Sequence, residues 1–139
     1  IFDSFRQMQF WSRGVCLKRA NLALYLWRKN MQITDTPFGI TNWSEIEQTE
    51  HKGDTGVAYW KTQKFGDIRI RMVNYSPGYL ADHWCSKGHI LLCLEGELHT
   101  ELEDGRKFVL KPGMSYQVAD NAEPHRSSTT IGARLFIVD

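Results

Sequence analysis

The chain is poor in cysteine, in long apolar runs and in net charge, and each shortage excludes something. Its three cysteines (Cys16, Cys85 and Cys93) among 139 residues are an odd number and too sparse for a disulfide scaffold. Free thiols of this kind fit a reducing compartment, so a cytoplasmic protein is expected. No stretch approaches the about 18 consecutive apolar residues of a transmembrane helix, so no membrane partner is expected. Formal net charge is +1, which removes the electrostatic reason to expect nucleic acid. Hydrophobic residues at 42% and charged residues at 24% give the balance of a globular domain, and the length suits a single core.

What charge there is lies unevenly. Residues 1–30 hold six Lys/Arg against one acid, Asp3, leaving eleven against fifteen in the rest. Three readings of this basic, aromatic arm stand side by side. It is a targeting peptide, although its apolar stretch is short and it has no evident small-residue cleavage site. It is an amphipathic arm for oligomer contacts or a membrane surface. Or it is a non-native upstream extension, with Met31 as the natural start. The expected organisation is thus an N-terminal extension over 1–30 and one domain over 31–139.

From Met31 the pattern is almost entirely β. Strands are expected over Val57 to Thr62, Asp67 to Tyr75, His89 to Leu94, Glu97 to Glu103, Arg106 to Leu110, Ser115 to Ala119 and Arg134 to Val138. Pro77-Gly78, Glu95-Gly96, Asp104-Gly105 and Pro112-Gly113 punctuate them as turns. In the second strand Ile68, Ile70 and Met72 alternate with Arg69, Arg71 and Val73, the period of a half-buried strand. Arg69 and Arg71 are expected to face solvent, with the pocket wall as the alternative. The run after His89 is continuously apolar, as in a strand buried on both faces. The one helical candidate is a turn near Asn42 to Glu47, with Asn42 capping and Glu45 at the third position. Short strands with turns every eight to twelve residues argue an all-β barrel or sandwich.

The chemistry is concentrated in Gly78 to His89. His83, Cys85 and His89 are spaced two and four apart, so on a strand all three point to one face. Gly88 allows close backbone approach there. His125, after Pro124, is placed at the start of a further strand and closes the set. Imidazole and thiolate suit zinc, iron, nickel or copper better than magnesium or calcium. The bland reading is a thiol packed as a small hydrophobe beside hydrogen-bonded histidines. Shared parity, glycine turns and donor type together favour metal. Cys93, within Leu91-Leu92-Cys93-Leu94, reads as core; His51 and His99 read as solvated; Glu95 and Glu97 read as surface charges.

The run Pro77-Gly78-x4-His83-x-Cys85-x3-His89-x5-Glu95-Gly96 resembles the first motif of the cupin superfamily, and Pro112-Gly113-x11-His125 resembles the second. Asp82-His83-Trp84-Cys85 is similar to the signature of the small single-domain DHCW-motif cupins. The resemblance implies a double-stranded β-helix, a cupin-type jelly-roll barrel, with the metal toward one mouth. Position by position it gives His83, Cys85, His89 and His125 as ligands. Cys85 stands where the family has its second histidine and His89 where it has glutamate, so a thiolate replaces the lost carboxylate and the set keeps one negative charge. Three nitrogens and one sulfur suit zinc first, at about 2.0–2.3 Å, with iron and nickel as alternatives.

Two functional classes follow. One is a metal-dependent enzyme on a small molecule, with dioxygenase, isomerase and lyase chemistry open and Tyr75, Trp84, Tyr116 and Arg71 as pocket walls. The other is a non-catalytic barrel that holds a small ligand or senses metal or redox state through Cys85, with the metal as a structural staple. A homodimer is expected in either case, because a closed barrel leaves outer faces for self-association.

Overall fold

The computed structural model describes residues 33–139, and the basic arm over 1–30 lies outside the described residues. Nine strands follow one another: β1 (Gln48–Lys52), β2 (Val57–Phe65), β3 (Ile68–Tyr75), β4 (His89–Gly96), β5 (Leu98–Leu102), β6 (Lys107–Leu110), β7 (Ser115–Val118), β8 (His125–Ser128) and β9 (Ala133–Val138). Among the described residues there is no helix. The Asn42 segment is a turn in which Asn42 Oδ1 accepts from the Ser44 amide at 3.1 Å and Asn42 Nδ2 donates to Glu45 at 2.7 Å. The chain then leaves directly into β1, a fully exposed polar edge strand that hydrophobic periodicity did not reveal.

All pairings between these strands are antiparallel. The larger sheet has the order β1-β2-β3-β9-β4-β7 and the smaller β6-β5-β8. Consecutive strands β4 and β5 lie in different sheets, and the crossing is made at Gly96 (φ 74°), where a Cβ would stand 2.0 Å from the Gly132 carbonyl oxygen. Only glycine fits there. The core fills the space between the sheets, with Val73, Leu91, Cys93, Leu98 and Leu135 almost wholly removed from water. Cys93 is therefore a packing residue, as its apolar neighbours indicated.

Two strand faces differ from expectation. In β3 the inward residues are Arg71 and Val73, both buried, while Ile68, Ile70 and Met72 occupy the other, half-covered face. Register explains it: Val73 lies opposite Leu135 of β9, and the two wholly buried side chains share the inner side. Arg71, two residues from Val73, is carried inward rather than left in solvent. In β4 burial alternates along His89, Leu91 and Cys93, with Ile90 54% exposed. Among the described residues the strand thus has one buried face and one partly exposed face.

Candidate metal centre

Cys85, His89 and His125 bring one donor atom each to within 4.8 Å of one another. His89 begins β4 and His125 begins β8, so the two histidines come from different sheets. Cys85 lies on neither. Residues 81–88 run without regular strand, and the expected strand parity of His83 with Cys85 has no strand to act through. What fixes Cys85 instead is an isolated bridge: its amide donates to the His125 carbonyl at 2.7 Å and the His125 amide donates back at 3.0 Å. Gly88 then passes so close to the 119–120 backbone that a Cβ would meet the Asp120 nitrogen at 2.5 Å, which delivers His89 into β4.

The imidazoles are posed for a shared ion. His125 Nδ1 donates to the Glu123 carbonyl at 2.9 Å, which leaves Nε2 as the free donor atom. The Nε2 atoms of His89 and His125 are 3.2 Å apart, with ring planes crossing at 71°. Two imidazole nitrogens bound tetrahedrally to zinc at about 2.0–2.1 Å stand about 3.3 Å apart, so the pair fits a common metal. The Tyr116 hydroxyl meets His89 Nε2 at 2.8 Å, and His89 Nδ1 is buried without a partner. A hydrogen bond with His125 holds the Cys85 thiol below its ordinary range and raises His125 in turn. Burial first, then the neighbouring His125, pushes His89 down to about 4. The Cys85–His125 pair thus shares a proton more readily than either group alone, and a metal binding there would have to displace it.

These residues line a cavity of about 90 Å³, together with Trp60, Arg71, Tyr75, Tyr79, His83, Tyr116 and Ser127. His83 stands at its mouth with a side chain 71% exposed, its Nδ1 2.5 Å from Asp82, outside the three-donor cluster. Tyr75 stacks on Tyr79 at 4.2 Å. Arg71 is held by Asp139 at 2.6 Å. Trp84 faces away, under the Arg126 guanidinium at 4.9 Å, and is not among the lining residues. Of the four wall candidates, Tyr75, Tyr116 and Arg71 are brought to the cavity. Sequence reasoning missed Trp60, Tyr79 and Asp139. The inward parity of Trp60 opposite Val73 was the one signal available, and it needs the strand register to be used.

A six-stranded and a three-stranded antiparallel sheet, with His89 and His125 facing each other between them, define the architecture. Solved structures share it. A RmlC-like cupin from Shewanella frigidimarina superposes with a TM-score of 0.60 at 17% identity, covering 76% of this chain and 92% of that one. The chain has the cupin fold. A protein described as a predicted oxalate decarboxylase, from Thermotoga maritima, gives 0.62 at 17% identity over 72% of this chain and 96% of the other. Fe(II)-HppE with an alternative substrate gives 0.61 at 17% identity over 76% and 62%. No family model and no curated protein sequence matches the chain. Within this cupin barrel the Cys85–His89–His125 cluster sits where the two sheets meet. Among the described residues no helix is long and apolar enough to cross a membrane.

Proposed function

We propose that this cupin barrel is a metal-dependent protein acting on a small molecule, with Cys85, His89 and His125 holding a divalent transition ion. The observation that carries the reading is the convergence of three donors on a cavity that also holds Arg71 and Tyr116. His83 is the fourth ligand in this reading. Asp82 on its Nδ1 leaves Nε2 to be presented, and a change of backbone at 82–84, between the anchors at Ala81 and Cys85, would bring it from the cavity mouth. His83 would be the ligand most easily given up to a substrate, which would leave a position for chemistry. Two imidazoles and a thiolate favour zinc, with iron and nickel next, and HppE in its Fe(II) form is a precedent for iron in this fold. When bound, the ion supplies a Lewis acid to a substrate oxygen. Around it the Tyr116 hydroxyl, released from His89 Nε2 when that atom is taken by the ion, would face the bound molecule, and Arg71 supplies fixed positive charge. Isomerase and lyase reactions can use these elements with zinc, whereas dioxygenase chemistry would require iron in its place.

The test is elemental analysis of protein expressed with zinc, iron and nickel supplied, run beside Cys85→Ser. One equivalent of metal in the parent and a marked loss in the variant support the reading. A parent protein with no stoichiometric metal overturns it.

A second reading, redox sensing, draws on the half-buried Cys85 and its depressed thiol. Rapid peroxide oxidation of Cys85 with release of metal favours it over catalysis. In either case we take residues 31–139 as the functional domain, close to the DHCW-motif cupins, in a cytoplasmic homodimer without nucleic-acid or membrane partners. A monomer by sedimentation at high concentration counts against the dimer.

A further inference from the structure

The cavity that holds the three donors is also walled by a buried guanidinium, Arg71, whose hydrogen-bonding capacity the protein does not fill. Arg69 grips Asp139 through Nε at 2.8 Å and Nη2 at 2.6 Å, and Arg71 Nη2 reaches the same carboxylate at 2.6 Å. Two guanidinium groups thus share one carboxylate, and that carboxylate is 1% exposed while the Arg71 side chain is 8% exposed. The second guanidinium, Arg69, is 37% exposed and meets water, so what is unmet inside is hydrogen bonding at Arg71. Arg71 Nε is buried with no hydrogen-bond partner, and so is Trp60 Nε1. The Arg71 guanidinium carbon lies 4.5 Å from the Trp60 ring centroid, so the two donors are neighbours, and both residues line the metal cavity.

Folded proteins leave few buried N–H groups without an acceptor, and those few ask for an explanation. A water molecule would answer the hydrogen bonds without using the guanidinium's preference for an anionic, planar acceptor. Phosphate would bring a second negative charge and tetrahedral bulk into a cavity of about 90 Å³. A monocarboxylate brings one charge and two coplanar acceptor oxygens, the shape an arginine edge pairs with best.

We propose that the cavity binds a small monocarboxylate, its carboxylate taken by Arg71 and Trp60 and its remaining atoms turned toward Cys85, His89 and His125. The inference rests on the metal-centre reading for what the ligand is presented to, and not for the contacts of the carboxylate itself. Arg71 and Trp60 are binding residues in this account. Asp139 is a positioning residue that holds the guanidinium by one nitrogen and leaves its Nε free.

Glycolate is a suitable probe, with glycolamide as its neutral isostere and inorganic phosphate as the competing anion. Calorimetric titration of each into zinc-loaded and zinc-free protein gives the answer, alongside chelator competition for zinc. Glycolate is expected to bind at least about tenfold tighter than glycolamide and tighter than phosphate, in both forms of the protein. Trp60→Phe keeps the ring and removes one donor, and Arg71→Lys keeps the charge and removes Nε. Each is expected to weaken glycolate about tenfold, the loss of one charge-assisted hydrogen bond. Equal binding of glycolate and glycolamide overturns the proposal, as does preference for phosphate. Wild-type glycolate affinity in folded Trp60→Phe does the same, and that variant keeps the test open if Arg71→Lys fails to fold. Failure of zinc to bind while the glycolate preference persists removes the metal reading and leaves the carboxylate site. Tight zinc without any glycolate preference does the reverse.

Discussion

His89 and His125 present their Nε2 atoms to each other at 3.2 Å across the meeting of two sheets. An N–H···N hydrogen bond from His89 to His125 accounts for that contact in the metal-free protein. An ion between them, with Cys85 as the third donor, turns that proximity into coordination.

The ligands differ in what their loss removes. Cys85→Ser replaces the one anionic donor with a neutral hydroxyl, and zinc affinity is expected to fall about 100-fold or more, beyond the loss of an outer-shell partner. His83→Ala removes a side chain that stands at the mouth, and about tenfold or less is expected. Competition against a chromophoric chelator measures both. Equal losses would make His83 a permanent ligand.

Acid sensitivity of the metal-free protein follows from His89. Its folded pKa is pushed down from 6.5 to about 4 by burial, so between those values the unfolded chain binds a proton that the native state refuses. Stability therefore rises with pH across that window. The stabilisation is fully present above the unfolded value and falls by up to about 3 kcal/mol as pH drops from 6.5 toward 4, at about 1.4 kcal/mol per tenfold. Urea unfolding at intervals from pH 4 to 7 reads the slope, and His89→Asn is expected to flatten it.

Thiol labelling separates the two described cysteines. Cys85 is half-buried with a depressed thiol, while Cys93 is buried with its thiol pushed up by desolvation. Alkylation mapped by peptide mass is expected to modify Cys85 first, and prior zinc loading is expected to protect it. Faster labelling of Cys93 in native protein would contradict the packing described above.

Much of the barrel is readable from the chain because its turns are marked. Gly96, Gly105 and Gly113 all take positive φ, and the strands between them begin and end within a residue or two of where alternation places them. His89 and His125 were legible for the same reason, each following a turn and opening a strand. His83 was harder, since the 81–88 segment has no periodicity that maps parity onto direction. Arg71 was misdirected by composition: Ile68, Ile70 and Met72 look like the core face of β3, yet Val73 and its register with Leu135 decide the matter. Trp60 and Asp139 carry no local signal of the site. They meet Arg71 only through strand pairing, which is a non-local fact.

Loss of the shared carboxylate should expose how that arrangement is held. Asp139→Ala leaves two guanidinium groups without their partner, one of them buried, and is expected to destabilise the fold by about 3 kcal/mol. Asp139→Asn, which retains an acceptor oxygen, is expected to cost less. Thermal and urea denaturation of both variants check the order.

The two backbone hydrogen bonds between Cys85 and His125 owe nothing to side-chain chemistry. They fasten a loop to a strand whatever occupies the space between the thiol and the imidazole. A chain built this way can complete its barrel before any ion arrives and give one up without unravelling. If the three donors do hold an ion, its removal by a chelator would then leave the barrel intact, so that binding and folding would be separable.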